Sequence, residues 1–178
     1  MSSTRRRALD AAVDLIGAEG IRALTHGRVD TAASLPPGST SNHFRTRAAL
    51  LSGVIEWMAA AEREDAGPSA IDSRDELVAA LSRMIELQSG RLAGRTRARY
   101  ALFLEADANA ARPLREQRRG METWIRGILL ELGGDRAAAR APFLMAAADG
   151  LLLHRITVDP EAPIADVVAR AVDAALAP

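Results

Sequence analysis

Residues 35–44 read Leu35-Pro36-Pro37-Gly38-Ser39-Thr40-Ser41-Asn42-His43-Phe44. Pro36-Pro37-Gly38 is strong punctuation: it stops whatever helix precedes it and permits a sharp turn. The residues that follow are small and hydrogen-bonding, too few and too polar for a core helix. They suit a short helix, Ser39 to Phe44, presented to a partner and anchored by Phe44. Upstream, Thr25 is an N-cap for a short helix through Ala33 with Val29, Ala32 and Ala33 turned inward. Before it, Arg5 to Ala18 places Leu9, Ala12, Val13 and Ile16 on one face, with Gly20 as the stop. Downstream, Thr46 caps a long helix from Arg47 to Asp65 that buries Leu50, Leu51, Val54, Ile55 and Met58.

Two short helices joined by a tight turn, the second small and polar, form a helix-turn-helix pattern. A helix entering a major groove about 12 Å wide reads base edges with short donors and acceptors. Ser39, Thr40, Ser41 and Asn42 meet that requirement: Asn42 can pair with adenine and the Thr40 methyl can touch thymine. Gly38 lets the backbone approach phosphate, and the N–H groups of a helix start receive an anion. Arg45 and Arg47 are placed for phosphate contacts that fix register, and Thr4 to Arg7 reads as a basic arm. The full candidate set for DNA contact is Arg5, Thr25, Arg28, Pro37, Gly38, Ser39, Thr40, Ser41, Asn42, His43, Arg45 and Arg47.

The remainder reads as helix throughout. The 178 residues are 48% hydrophobic and only 3% aromatic, rich in Ala and Leu and poor in β-branched runs, which favours an all-α fold of about nine helices. A fifth helix follows the turn Ala66-Gly67-Pro68-Ser69 and runs from Asp72 or Ser73 to Ser89. A sixth spans Thr96 to Ala108, and a seventh runs from Pro113 to Leu132, closed by Gly133-Gly134. An eighth goes from Asp135 to Thr157 if Pro142 lies near its start. The ninth is Ile164 to Leu176.

Charge divides the chain at the same place as the motif. Residues 1–47 carry Arg5, Arg6, Arg7, Arg22, Arg28, Arg45 and Arg47 against Asp10, Asp14, Glu19 and Asp30, whereas the rest is net acidic. The expected domains are therefore 1–47, basic and DNA-binding, and 48–178, the helical body. With no Cys there is no disulfide or thiolate metal site. No leader or membrane span is recognisable, so a cytoplasmic protein is expected.

Catalysis finds little support. His26, His43 and His154 lack metal-ligand spacing, Pro37-Gly38-Ser39-Thr40 lacks the Lys of a phosphate-binding loop, and Ser39 or Ser41 beside His43 has no orienting third group. No cofactor and no metal are expected.

The stretch Ala33-Ser34-Leu35, Gly38, Asn42-His43-Phe44 and Thr46-Arg47-Ala48-Ala49-Leu50-Leu51, preceded by Gly20-Ile21-Arg22-Ala23-Leu24-Thr25, resembles the TetR family of transcriptional regulators. The likeness is specific over roughly residues 5–55 and architectural beyond. Two positions depart from the family pattern. Ser41 stands where Tyr, a common phosphate contact, is usual, and Asp30 stands where a small Ala is usual, which bears on the packing of the second helix.

The resemblance implies a dimer that binds an inverted-repeat operator and a small-molecule effector held among helices four to eight. The effector candidates are Trp57, Met84, Gln88, Tyr100, Phe103, Leu104, Asp107, Met121, Trp124, Ile128 and Asp149. Asp107 and Asp149 fall on apolar faces, where a buried carboxylate needs a partner; Arg97, Arg99 or a cationic ligand are the candidates. For the dimer, Ala146, Ala147, Ala148 and Gly150 allow close approach, while Leu151, Leu152, Val167, Val168 and Val172 supply apolar area in a four-helix bundle of the last two helices. The competing reading is a helical small-molecule-binding protein without specific DNA recognition.

Overall fold

The computed structural model describes residues 3–65, 71–107 and 109–177. Among them are nine α-helices and no strand: α1 (Ser3–Glu19), α2 (His26–Ala32), α3 (Ser39–His43), α4 (Arg47–Asp65), α5 (Arg74–Ser89), α6 (Ala93–Glu105), α7 (Arg112–Ala138), α8 (Ala141–Thr157) and α9 (Ala165–Leu176). A 3-10 turn, Ile21–Ala23, joins α1 to α2. The expected turn at Ala66-Gly67-Pro68-Ser69 lies outside the described residues, as does Ala108, the expected end of the sixth helix.

The contacts form two compact units, Met1–Gly67 with Gly94–Gln117 and Pro68–Ala93 with Arg118–Pro178. The division expected after Arg47 is not where they separate. The apolar face of α4 (Leu50, Val54, Ile55 and Met58) closes the same core as Leu9, Ile16 and Leu24, and Leu102 and Leu114 complete it. A three-helix head of this size buries too little apolar surface alone, so α4, most of α6 and the start of α7 belong with it.

In this first unit the caps follow the sequence. The Thr25 hydroxyl accepts from the Arg28 N–H at 3.4 Å at the start of α2, and the Thr46 hydroxyl accepts from Ala49 N–H at 3.0 Å at the start of α4. The inward face of α2 differs from expectation: Val29 and Asp30 are buried, whereas Ala32 is exposed. After α2 the chain turns through Ser34 at φ +50°, a left-handed conformation unfavourable for a residue with a Cβ. Ser34→Gly is therefore expected to raise stability by about 0.5–1 kcal/mol, strain relief exceeding the entropy that glycine adds to the unfolded chain. A shift of the urea midpoint to higher concentration checks it; a fall would mean that the backbone at 34 is unstrained.

The second unit has its own core of Leu77, Leu81, Ile85, Ile125, Leu129, Leu144, Val168 and Val172. Its α5 opens on a reciprocal cap: Ser73 Oγ accepts from Glu76 N–H and the Glu76 carboxylate accepts from Asp72 N–H. Arg74 makes two bonds, at 2.8 and 2.9 Å, to the carboxylate of Asp173 on α9. Arg140 donates to the carbonyls of Ala174, Ala175 and Ala177, meeting the orphan acceptors at the end of α9. Gly134, at φ +71°, interrupts α7 where the Gly-Gly pair was expected to end it. The following helix does not run unbroken from Asp135: a short turn intervenes and α8 starts at Ala141, placing Pro142 in its first turn where no N–H is required.

Helix α6 departs most from its pattern. Its buried positions are Thr96, Ala98 and Leu102. Of the expected face Tyr100-Phe103-Leu104-Asp107, Tyr100 and Phe103 are half-buried and Leu104 is 84% exposed. Asp107 lies beyond the helix end.

Candidate nucleic-acid interface and effector-contact residues

The hydrogen bonds around α3 show how so short a helix is held. Its N-cap is Gly38 at φ +89°, a conformation open to glycine and one that offers no capping side chain. The cap comes from another helix. Asp30, buried on α2, accepts from Gly38 N–H at 2.8 Å, from Thr40 N–H at 2.8 Å and from the Thr40 hydroxyl at 2.5 Å. At the far end, His26 Nε2–H donates to the Phe44 carbonyl at 2.7 Å.

This arrangement corrects two expectations. Thr40 is fully buried against Asp30, so its methyl cannot meet thymine. The Gly38 and Thr40 N–H groups at the start of α3 are not open to phosphate, because the Asp30 carboxylate occupies them, and the Ser39 N–H donates to the Pro36 carbonyl. Asp30 itself, expected to disturb the packing of α2, is instead the contact by which α2 holds α3. In the sequence Asp30 stood out only as a departure from the family pattern, and no local signal marked this pairing.

Burial works against the charge on Asp30, but the Thr40 hydroxyl, the Thr40 and Gly38 N–H groups and the nearby His26 outweigh it and hold its carboxyl below the ordinary 3.8. A group whose folded value is depressed contributes stability above its unfolded value and loses it as pH falls through the folded one. The difference in melting temperature between the wild type and Asp30→Asn is expected to shrink as pH drops below about 4. A difference that stays constant from pH 5 down to 2.5 would show that the carboxylate charge carries none of it.

The other DNA candidates all lie in the first unit, and their positions differ. Asn42 and His43 are exposed on α3, with Pro37 and Gly38 exposed just before it and Arg45 exposed just after. Ser39 and Ser41 are half-buried, and their hydroxyls donate to the Pro36 and Gly38 carbonyls at 2.6 and 2.9 Å. Thr25 is the cap of α2, and Arg28 pairs with Glu19. Arg47 donates from Nε to the Leu24 carbonyl at 3.0 Å and from Nη2 to the Ile21 carbonyl at 2.6 Å. Most of its guanidinium thus ties α4 to the 3-10 turn, which corrects the expectation of a freely placed phosphate contact.

Nor are the first arginines a loose arm. They sit on α1: Arg5 lies over the Phe44 ring at 5.2 Å, Arg6 over the Trp57 ring at 5.8 Å, and Arg7 donates to the Ala33 and Ser34 carbonyls at 2.6 and 3.0 Å. Helix formation from Ser3 onward spends these side chains on packing.

The effector candidates divide between the units. In the first, Trp57 donates from Nε1 to Asp10 at 2.9 Å, and Trp57 and Phe103 pack on the core, while Tyr100 has Arg99 over its ring at 5.5 Å. Leu104 is in the open. Asp107 is exposed, its Oδ1 accepting from the Asn109 and Ala110 N–H groups at 3.0 Å. Such a local turn competes with the helix, which is why α6 stops short and Asp107 is not the buried carboxylate that was expected. In the second unit, Ile128 is buried, Met84 and Met121 are half-buried against the core, Gln88 is half-buried, and Trp124 is 40% exposed. Asp149, half-buried, is paired by both terminal nitrogens of Arg118.

Of the residues expected at a dimer contact, Leu151, Val168 and Val172 close the second unit's own core, and Leu152 is buried. The amphipathic period of α9 turns positions 168, 172 and 175 inward and leaves Val167 39% exposed. Ala146 and Gly150 are exposed, Phe143 and Leu153 are 49% and 44% exposed, and an apolar groove is lined by Leu81, Ala147, Ala148, Leu151, Val167 and Ala171. Among the described residues no group of His, Asp or Glu is placed to hold a metal ion, and no helix is long and apolar enough to cross a membrane.

The first unit carries a helix-turn-helix and the second is an all-helical unit with its own core, the layout of a one-chain transcriptional regulator. Residues 72–178 match the family model described as tetracyclin repressor-like, C-terminal domain. The chain belongs to the TetR family of transcriptional regulators. A TetR-family member from Streptomyces coelicolor A3 shares the fold, with a TM-score of 0.75 and 24% identity over 98% of this chain and 99% of that one. The multidrug binding protein EbrR, solved with ethidium, is 27% identical over 95% of this chain and 98% of its own, with a TM-score of 0.63. The regulator FadR from Bacillus subtilis, solved with stearoyl-CoA, shares the fold at 15% identity over 97% of each chain, with a TM-score of 0.74. No protein of curated function matches the chain.

Proposed function

We propose that the chain is a dimeric repressor that binds an inverted-repeat operator through α3 and is released by a small-molecule effector. The observation that carries this reading is the set of side chains left free by the clamp on α3. Thr40 faces inward, Ser39 and Ser41 bond locally, and Asn42 and His43 project outward beside the exposed Arg45. Asn42 is the adenine reader, and Arg45 is the phosphate contact. One five-residue helix reads only a few base pairs, so useful specificity calls for two copies on a two-fold site. The apolar surface of α8 and α9 around Phe143, Leu153 and Val167 supports a dimer through those helices.

The likeness to EbrR supports a small-molecule effector. Each unit offers its own group of candidate contacts: Met84, Gln88, Met121 and Asp149 in the second, and Trp57, Tyr100 and Phe103 in the first. Helix α4 runs from Arg47, tied to the 3-10 turn, to Trp57, tied to Asp10. In this reading effector binding acts on DNA affinity through that helix.

The test is selection of bound sequences from a random duplex pool at two salt concentrations. Enrichment of an inverted repeat, with affinity falling steeply as salt rises, is the expected result. Binding with no enriched sequence, or none at all, would leave a helical small-molecule-binding protein as the description.

A further inference from the structure

Helix α3 is a single turn of five residues. No segment of that length is stable by its own backbone bonds, because the nucleus costs more than one turn returns. Its position must therefore come from outside. At its start the N-cap is a glycine, which has no side chain to bond the first free N–H groups. At its end the Phe44 carbonyl faces back toward α2 and accepts from His26.

We propose that His26 and Asp30, four residues apart on α2, form a two-point clamp that sets the attitude of α3, which makes Asp30 a positioning residue for sequence reading. The inference rests on the assignment of α3 as the reading helix. His26 and Asp30 share one face of α2, so a rigid turn of helix grips both ends of α3 at once. The grip at the start is specific in its chemistry: three donors converge on two carboxylate oxygens, and all three are satisfied. The gripped face is the one opposite the reader, since Thr40 is fully buried while Asn42 and His43 are exposed. Base-edge hydrogen bonds weaken steeply with small errors of distance and angle, so a tilt of α3 that leaves the fold intact misplaces Asn42.

Asp30→Asn changes one oxygen into an amide nitrogen without changing shape. The remaining oxygen still accepts from Thr40, but the new N–H₂ meets the Gly38 N–H donor to donor. Sequence-specific and non-specific duplex affinities of the full chain are measured for this variant, with amide exchange at Gly38 and thermal melting followed by Trp57 fluorescence. The clamp predicts faster exchange at Gly38, a retained melting transition, unchanged salt-dependent binding to non-specific duplex, and a specific-to-non-specific ratio reduced about tenfold or more. A merely structural role would lower both affinities by a similar factor and leave their ratio unchanged.

A ratio within about twofold of wild type, with Gly38 exchange accelerated, overturns the proposal. If Asp30→Asn abolishes the melting transition of the first unit, Thr40→Val decides. It removes one donor from the same carboxylate and keeps the side-chain shape. A ratio about threefold lower supports the clamp and an unchanged one overturns it. A wild-type chain that selects no sequence refutes the reading role of α3 itself, an outcome seen before any variant is made.

Discussion

Phe44→Ala is expected to lower the stability of the first unit by about 3–5 kcal/mol and to abolish sequence-specific DNA binding. Phe44 is 4% exposed and follows directly on α3. Its ring lies so close to α4 that a Cβ placed on Gly53 would come within 2.5 Å of it. Removing the ring leaves a cavity under the apolar anchor at the end of a one-turn helix, and the Arg5 guanidinium over it loses its stacking surface. The chain carries two tryptophans, Trp57 in the first unit and Trp124 in the second. In a Trp124→Phe background, Trp57 fluorescence follows the first unit through urea unfolding. A midpoint close to wild type would mean that Phe44 is not an anchor of this core.

Gly17→Ala reverses a familiar rule. In an open helix interior this change stabilises by about 1 kcal/mol. Here a Cβ on Gly17 of α1 would lie 2.2 Å from the Gly94 carbonyl oxygen at the start of α6, and 2.9 Å from its carbon. The obstacle is backbone, so no side chain can swing aside, and a loss of about 2–3 kcal/mol is expected. Gly127→Ala, in α7 with nothing within 4 Å of the added carbon, is the control and should stabilise. If both substitutions stabilised alike, the two helices could part at little cost.

The pattern of apolar residues gave away most elements, because burial and periodicity are local. Helix α4 begins and ends where Thr46 and the run of Leu50, Leu51, Val54, Ile55 and Met58 placed it. The turn at Pro36-Pro37-Gly38 and the cap at Thr25 were equally plain, whereas the sequence does not decide between Asp72 and Ser73 for the start of α5. What escaped was the pairing of polar groups across elements. Nothing in the neighbourhood of Asp30 says that its carboxylate would find Gly38 and Thr40, and nothing near Arg47 says that it would turn back to the Ile21 and Leu24 carbonyls. Arginines at a chain start look free until helix α1 claims them. The face of α6 was misjudged for a related reason. Asp107 bonds the N–H groups just beyond it, and small Ala98, not the aromatic positions, is what the first unit buries.

The first unit draws on two stretches of chain that are far apart. Leu102 and Leu114 close a core begun by Leu9, Ile16 and Leu24. The ribosome therefore releases α2, α3 and the turn between them well before the residues that finish their support have been made. Until residue 114 emerges, the N-terminal core lacks part of its apolar complement, and an incomplete chain has little ability to hold α3 in place. A chain that stops before residue 114 is thus expected to hold α3 poorly, even when it already carries the whole of α5.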